Sequence, residues 1–267
     1  MGIFNRKKTP ERPTVGLVLG GGGARGFVQV GALKAFRERN IDFDLCVGTS
    51  VGSIIGALYC AGISPEEITE AAEELEFGDL HGRILFKPDD PRKIGMALYR
   101  IIGDAKIENL HKKYAAVATD LKTGKQVVLD SGSVLDAASA SSAFPIAYSP
   151  LELNGMNLSD GGLVNNIPAD VCRMLGAQKV VTVDAHASRG SGTDGTGIFD
   201  MLKAMVSIMS ANASVVGLMQ SDIVIAPDTS AFKSTSKAGY TEMIELGYRA
   251  ALEKCDEIER LFIPTEQ

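Results

Sequence analysis

Strand-like apolar runs alternate with helix-like amphipathic runs along most of this chain of 267 residues. The strand-like runs cover residues 14–20, 43–48, 115–121, 125–130, 179–185 and 222–227. The helix-like runs cover residues 26–39, 52–61, 133–141, 196–219 and 237–261, with further helices expected from Pro65 and after Pro168. Such alternation is typical of strand–helix–strand units, in which helices join consecutive parallel strands. The sequence therefore predicts an α/β fold with a mainly parallel sheet, and Asn154-Gly155 between apolar residues adds one predicted hairpin.

The domain organisation follows from the length and from the lack of linkers. A chain of this length lies near the upper limit for one domain, and no internal repeat or long linker divides it. We predict a flexible N-terminal tail at residues 1–13 and a single domain at residues 14–262. Two segments, 78–93 and 187–197, interrupt the alternation and are predicted to be surface loops. The hydrophobic residues 84–86 in the first segment suit either a lid over an apolar site or an ordinary anchored loop.

Composition excludes some classes of protein. Hydrophobic residues make up 45% of the chain and charged residues 22%, as in ordinary globular domains. The net charge of −6 argues against nucleic acid as a partner. The cysteines at positions 46, 60, 172 and 255 lack the CxxC spacing of metal and redox sites. We therefore predict buried free thiols.

The start of the chain bears on its location in the cell. Charged residues begin soon after the first four residues of the segment 1–13, which lacks the apolar segment of a secretory signal. No stretch reaches the ~18 uninterrupted apolar residues of a membrane span; the longest candidate is 53–63. We expect a cytoplasmic protein that does not span the membrane, with peripheral contact at the inner membrane surface as a further expectation. The basic residues 6–8 are interpreted as part of a solvated tail.

A run of four glycines, Gly20 to Gly23, follows the first strand and precedes a helix. Gly21, Gly23 and Gly26 satisfy the GxGxxG spacing of dinucleotide-binding folds. Those folds also require an acidic residue about 20 positions further on, at the carboxyl end of the second strand, to bind the ribose. That place is occupied by the sequence GTSVGS instead, and no Gly-Lys-Ser/Thr of a Walker loop follows the glycines. A nucleotide site is therefore disfavoured.

The residues at the end of the second strand form the only GxSxG in the chain, with Ser50 between Gly48 and Gly52. A strand before this motif and a helix after it are the context of a nucleophile elbow. Small residues on both sides of the serine allow the sharp turn that lifts its hydroxyl away from the sheet. The sequence therefore predicts Ser50 as a nucleophile.

A nucleophilic serine needs donors for the oxyanion, and consecutive glycines can direct backbone N–H groups to one point. Parallel neighbouring strands would bring the glycine run beside Ser50. We predict the N–H groups of Gly22 and Gly23 as the donors, with those of Gly21 and Ala24 nearby. Arg25 could supply positive charge to the site or fix the loop, and the second role is favoured.

The proton acceptor for Ser50 is left open by the residues alone. His186 follows a strand, and the order Ser50, Asp160, His186 is that of an α/β-hydrolase triad. His81 and His111 are most simply solvated surface residues. Asp160 precedes two glycines, which suggests a carboxylate on a tight turn, and it could itself accept the proton if burial raised its pKa.

Three motifs in order resemble those of the patatin-like phospholipases, and their surroundings resemble the bacterial branch of that family. The motifs are GGGGARG at 20–26, GTSVGS at 48–53 and DGG at 160–162. Matching flanks are FVQVGALKAF, SASSAFP at 139–145 and the stretch from DGG to VVTVD. The resemblance covers residues 14–184 strongly and 221–228 weakly, and it is poorest at 78–112.

This resemblance implies a three-layer α/β/α patatin-like fold with a central, mainly parallel sheet. It implies lipid acyl hydrolysis by a dyad, with Ser50 as nucleophile, Asp160 as general base, and no need of a metal, cofactor or histidine. The oxyanion hole then falls to Gly21, Gly22, Gly23 and Ala24. Supporting motif positions are Arg25, Gly26, Gly48, Gly52, Gly161 and Gly162. The expected partner is a lipid or fatty acyl ester, the oligomeric state is unknown, and the alternatives are an acyltransferase, a thioesterase or a non-catalytic lipid-binding protein.

Overall fold

One mixed β-sheet organises the part of the chain that the structure, a computed structural model, describes: residues 12–74, 88–186 and 197–264. The strands are β1 Val15–Leu19, β2 Leu45–Thr49, β3 Lys113–Asp120, β4 Lys125–Leu129, β5 Leu151–Leu153, β6 Met156–Asp160, β7 Lys179–Val183 and β8 Ile223–Ile225. The helices are α1 Phe27–Glu38, α2 Val51–Cys60, α3 Pro65–Glu74, α4 Arg92–Ile102, α5 Val134–Ser141, α6 Ala169–Met174, α7 Ile198–Ala213, α8 Val215–Gln220, α9 Tyr240–Leu252 and α10 Cys255–Leu261.

The sheet has the order β5-β6-β3-β2-β1-β7-β8, with β4 also paired to β3. Strands β3, β2, β1, β7 and β8 run parallel, whereas β4, β5 and β6 add antiparallel pairings. The hairpin predicted at Asn154-Gly155 joins β5 to β6, and both residues have positive φ, at 50° and 76°. Positive φ at both central residues is the requirement of a tight two-residue turn. The predicted α/β class with a mainly parallel sheet is confirmed.

Side chains from the central strands alternate between two hydrophobic cores, one on each face of the sheet. In β1, Leu17 and Leu19 join the core formed with α1, α2, α5 and α10, whereas Val18 joins the core formed with α6. Successive strand residues point to opposite faces, so a strand covered on both sides is apolar throughout. All five residues of β1 and of β2 are buried, as this arrangement requires. The layers are therefore helix, sheet and helix.

The pairing register of β3 brings two distant parts of the chain together. One edge of β3 pairs with β4. Along the other edge, Val117 pairs with Thr49 at the end of β2, and the next residue, Ala118, pairs with Asp160 at the end of β6. Strands β2 and β6 thus meet end to end, and Asp160 lies directly beyond the turn that begins at Ser50.

Several sequence-based boundaries were wrong in detail. The long helix predicted at 237–261 is two helices, α9 and α10, separated after Leu252. The segment 78–112 resembles the family least, and its described part, 88–112, contains helix α4. The hydrophobic positions 84–86, His81 and most of the loop at 187–197 lie outside the described residues. The cysteines are buried and free, as predicted.

The sequence-based expectation of no membrane span overlooked the helical stretch Asp200–Gln220. It has 21 residues and is long and apolar enough to cross a membrane by length and composition. Lys203, several serines and Asn212 interrupt its apolar residues, so the sequence shows no uninterrupted apolar run there. Length and composition alone are weak evidence for a span, and only 12% of its most apolar window is buried.

Candidate active site

Ser50 occupies a strained turn between β2 and α2. Its backbone has φ 53° and ψ −128°, a combination that non-glycine residues rarely adopt. The flanking glycines permit the turn, because a Cβ on Gly48 would lie 2.2 Å from the carbonyl oxygen of Gly52, and one on Gly52 would lie 2.0 Å from that of Leu19. Any larger residue at these two positions would push the turn apart. This is the geometry of the predicted nucleophile elbow.

Asp160 accepts a hydrogen bond from the Ser50 hydroxyl. The distance from Ser50 Oγ to Asp160 Oδ2 is 2.7 Å, and the other carboxylate oxygen accepts the Gly162 N–H at 2.8 Å. Gly161 allows the turn, since a Cβ there would lie 2.1 Å from the carbonyl oxygen of Val117. The carboxylate is therefore held in one orientation, with one oxygen left to receive the serine proton.

Burial makes Asp160 a stronger proton acceptor than an exposed aspartate. The residue is 4% exposed, and desolvation of its carboxylate raises its pKa to about 6, against the smaller opposite effect of the hydrogen bonds from Ser50 and Gly162. A pKa in this range suits a general base that works near neutral pH. The sequence-based condition for a dyad, a raised aspartate pKa, is met.

The glycine loop has two N–H groups free for an oxyanion among the residues described. The N–H of Gly21 donates to the carbonyl of Asn166 at 3.2 Å, and that of Ala24 donates to the carbonyl of Ser234 at 2.8 Å. Gly22 and Gly23 have no such backbone partner in the described ranges. The predicted set of four donors therefore narrows to these two residues, because Gly21 and Ala24 already use their N–H groups elsewhere.

Arg25 fixes the glycine loop to two other segments of the chain. Its Nε donates to the carbonyl of Phe232 at 2.9 Å, and Nη1 lies 3.4 Å from Nδ1 of His186. The half-buried guanidinium thus connects the glycine loop to the segments after β7 and β8. These contacts favour the loop-fixing role over a substrate-facing role.

His186 is not assembled with Ser50 and Asp160. Its described contacts are the Arg25 guanidinium and a hydrogen bond from its own N–H to the Asp184 carboxylate at 2.8 Å. Burial and the charge of Arg25 lower the pKa of the imidazole. The place that a triad histidine would take beside Ser50 is occupied by Asp160 itself. The triad arrangement is therefore not supported.

Two positioning residues were missed by sequence reasoning. Ser141, at the end of α5, accepts the Ser50 N–H at 2.9 Å and donates to the carbonyl of Val117. Asn166 links the glycine loop to the Asp160 turn, since its side-chain oxygen lies 2.3 Å from where a Cβ on Gly21 would be and 3.0 Å from where one on Gly162 would be. Both residues lie in stretches that resemble the family, but their roles depend on contacts that no local pattern reveals.

An apolar cleft lies between α1, α2 and α3, and its lining includes Val51, the residue after Ser50. It is lined by Ala24, Gly26, Phe27, Val30, Val51, Ile54, Ile55, Leu58, Ile68 and Ala71. The cleft is narrow in this conformation, at about 20 Å³, so a ligand would have to displace side chains. Ile54 and Ala71 are only partly buried and are best placed to yield. Within the described ranges, no cluster of three or more His, Cys, Asp or Glu residues could hold a metal ion.

Comparison with known proteins links this geometry to one family. The family model described as patatin-like phospholipase matches residues 17–173. A Caenorhabditis elegans protein, patatin-like phospholipase domain-containing protein ZK370.4, is 30% identical over 281 residues, which cover 91% of this chain and 21% of that protein. The Drosophila melanogaster protein neuropathy target esterase sws is 35% identical over 184 residues, which cover 64% of this chain and 13% of that protein. This chain thus spans about a fifth or less of these relatives.

The same fold occurs in a solved structure. The crystal structure of VipD from Legionella pneumophila has a TM-score of 0.63 to this chain at 15% sequence identity. The match covers 96% of this chain and 72% of the VipD chain. The predicted patatin-like three-layer fold is confirmed by this likeness and by the matching family model.

Proposed function

Because this chain belongs to the patatin-like phospholipase family, we propose that it is a lipid acyl hydrolase that cleaves fatty acyl esters through an acyl-enzyme on Ser50. One observation carries the proposal: the hydroxyl of Ser50 lies 2.7 Å from a buried carboxylate oxygen of Asp160. A serine in an elbow turn, directly bonded to a base with a raised pKa, is equipped for nucleophilic attack on a carbonyl. The assignment to the bacterial branch stays a prediction.

In the proposed cycle, Asp160 accepts the proton of Ser50 as the serine oxygen attacks the ester carbonyl carbon. The N–H groups of Gly22 and Gly23 donate to the oxyanion that forms. The protonated Asp160 then gives its proton to the departing alcohol, which leaves the acyl group on Ser50. Water attacks this acyl-enzyme with Asp160 again as base, and the fatty acid is released. Loss of one oxyanion donor costs about 10²–10³ in rate in other hydrolases, so we expect the loop to contribute strongly.

The apolar cleft supports a fatty acyl substrate. Its lining includes Val51, which follows Ser50 in the chain, and Gly26, which ends the glycine loop. An acyl chain in the cleft would therefore lie close to the proposed nucleophile. The cost of opening the cleft is offset by burial of the chain, at about 25 cal/mol per Å² of apolar surface.

The test measures hydrolysis of esters with graded acyl lengths and different head groups. Wild type is compared with Ser50→Ala, Asp160→Asn and His186→Ala. We expect the first two variants to lose turnover and the third to keep it, since His186 does not contact the dyad. Full activity of Ser50→Ala would overturn the proposal. Loss of activity in His186→Ala alone would support the alternative, in which His186 is the base of a triad.

The same samples separate the alternative functions. A competing alcohol or thiol acceptor in the assay would reveal acyl transfer if the acyl group appeared on the acceptor rather than as free fatty acid. A serine-reactive fluorophosphonate should label wild type at Ser50 and leave Ser50→Ala unlabelled. Absence of labelling in folded wild type would favour a lipid-binding protein without catalysis.

We also propose a cytoplasmic protein that contacts the inner membrane surface peripherally. The four cysteines are all buried and unpaired, as is usual in a reducing compartment. The single domain at residues 14–262 stays a prediction, supported by the one sheet that spans the described ranges.

A further inference from the structure

The helices α7 and α8 carry a large apolar face toward solvent. Six of its side chains are between 46% and 82% exposed: Met201, Met205, Ile208, Met209, Val216 and Met219. These residues are called the methionine face below. Monomeric proteins rarely expose contiguous apolar surface of this kind unless it is an interaction site.

The side of these helices that packs on the protein consists largely of small and polar residues, although Leu218 packs on the core around α6. Ser214 Oγ accepts a hydrogen bond from the Asn166 side chain at 3.2 Å, and a Cβ on Gly217 would lie 1.8 Å from the carbonyl oxygen of Ile167. A surface helix in water normally turns its apolar side inward. Helices α7 and α8 have the opposite arrangement, which is expected where the outer side meets an apolar phase.

The charge pattern of the methionine face fits a lipid phase. Residues 204–221 contain no charged side chain. Asn212 is the one polar residue among the exposed positions from 204 to 219. A specific protein interface carries roughly one hydrogen bond per 100–200 Å², and this face offers almost nothing to pair with. The hydrocarbon region of a bilayer accepts it because no charge has to be desolvated.

The methionine face adjoins the catalytic carboxylate. Ser210 Oγ lies 3.2 Å from where a Cβ on Gly162 would be, and Asp160 Oδ1 lies 3.1 Å from the same point. Ile208 and Met209 immediately precede Ser210 and are exposed. An apolar surface therefore begins within one helical turn of the residue that contacts the dyad turn.

We propose that the methionine face docks this protein on a lipid bilayer, with α7 and α8 lying along the surface of the membrane. This inference rests on the proposed function, since an enzyme for acyl esters of lipids must take its substrate from a lipid phase. The helices lie along the bilayer rather than cross it, because their inner side is packed against Asn166 and Ile167. Docking in this way holds the Asp160 turn, and with it Ser50, one helix diameter, ~10 Å, from the lipid surface.

Flotation with vesicles of phosphatidylcholine tests the proposal. Zwitterionic vesicles are used because electrostatic attraction then contributes little. The full chain is compared with the double variant Met205→Asp/Met219→Asp and with Met96→Asp, which changes an equally exposed methionine on α4. We expect wild type and Met96→Asp to float, and the bound fraction of the double variant to fall by more than about tenfold. Both substituted positions are exposed, and a melting curve checks that the double variant is folded.

Several outcomes would overturn the proposal. Equal flotation of the double variant would show that another surface binds lipid. A wild type that stays in solution as a dimer, and that the double variant makes monomeric, would assign the face to a second copy of the chain.

Ser50→Ala separates docking from chemistry and should float like wild type. Flotation of both proteins without hydrolysis of any ester would leave the docking surface standing and the hydrolase proposal refuted. Hydrolysis of a water-soluble ester by a wild type that does not float would refute the docking surface and leave the hydrolase proposal intact.

Discussion

At the scale of single residues, Asp160 combines burial with a direct hydrogen bond to the hydroxyl of Ser50. It is buried, which raises its pKa to about 6, yet it is bonded to the group that it must deprotonate. No cation is among the causes of its pKa shift, so desolvation is opposed only by the hydrogen bonds from Ser50 and Gly162 and outweighs them. The proposed base is thus deprotonated at neutral pH and protonated in mild acid.

We expect kcat/KM to fall about tenfold per pH unit below pH 6, because only the ionised carboxylate can accept the serine proton. The rate profile on a water-soluble ester, measured from pH 4.5 to 8, checks this. A histidine base would titrate in a similar range, so the profile is repeated with His186→Ala. The same midpoint in both proteins assigns the titration to Asp160, and a flat profile down to pH 5 would contradict the assignment.

Arg25 permits a second residue-scale prediction. Its Nε bond to Phe232 is lost in Arg25→Ala and is not reproduced by lysine. We expect both variants to lose about tenfold in kcat, equally on a neutral ester and on a phospholipid, since the loop that holds Gly22 and Gly23 loosens. The exposed Arg249→Ala is the control. Loss restricted to the phospholipid, with recovery in Arg25→Lys, would instead show that the charge binds a phosphate.

At the scale of elements, helix α2 has two roles. Its first turn follows the strained Ser50, and one side of it lines the apolar cleft. That side consists of Val51, Ile54, Ile55 and Leu58, at the spacing i, i+3, i+4 and i+7 that places residues on one helical face. The nucleophile and the wall of the proposed acyl site are therefore fixed by one rigid element. The rest of the lining comes from the glycine loop, α1 and α3.

Ala71→Phe should fill the cleft from α3. We expect kcat/KM for long acyl esters to fall by about tenfold or more while butyryl esters are little affected, because one or two lost methylene contacts already cost ~0.8 kcal/mol each. Activity across a series of acyl lengths measures the change. Glu70→Phe, at an exposed neighbour that does not line the cleft, should retain the wild-type preference. Equal loss on short and long esters would argue against an acyl site here.

The sequence predicted those parts of the candidate site whose motifs are formed by neighbouring residues in the chain. The elbow at Ser50 and the glycine loop each combine a motif with its flanking strand and helix, so both were identifiable from contiguous residues. The base, Asp160, was predicted only from the family resemblance, because Asp160 reaches Ser50 through the antiparallel pairing of β6 on the edge of β3. Helix α4 begins within a cluster of Asp and Pro residues that resembles a loop. The sequence did not indicate the role of α7, because the polar side of this helix faces the protein rather than the solvent.

At the scale of the whole molecule, the raised pKa of Asp160 that suits the proposed chemistry lowers the stability of the folded protein. A carboxylate with a folded pKa near 6 and an ordinary value of 3.8 binds more protons in the folded state between these pH values. Its contribution to stability is full below about pH 4 and is lost as pH rises through 6. The folded protein is therefore destabilised at the pH where the base is active.

Asp160→Asn should stabilise the protein at pH 8 while abolishing turnover. The amide keeps the shape, can donate to the Ser50 oxygen and carries no charge to desolvate. The gain over wild type should grow by up to about 3 kcal/mol between pH 4 and pH 8, from the difference between the two pKa values. Chemical denaturation of both proteins across this range measures it. The exposed Asp130→Asn should show no such trend, and an equal trend there would remove the buried carboxylate as the cause.

The end-to-end meeting of β2 and β6 on β3 also affects the protein during its synthesis. The elbow at Ser50 and strand β3 leave the ribosome before the chain has reached Asp160, 40 residues beyond the end of β3 at Asp120. Domains generally fold as units, and within the proposed single domain a nascent chain that ends before Asp160 lacks the proposed proton acceptor of Ser50. We therefore expect a truncated translation product that ends before β6 to be inactive.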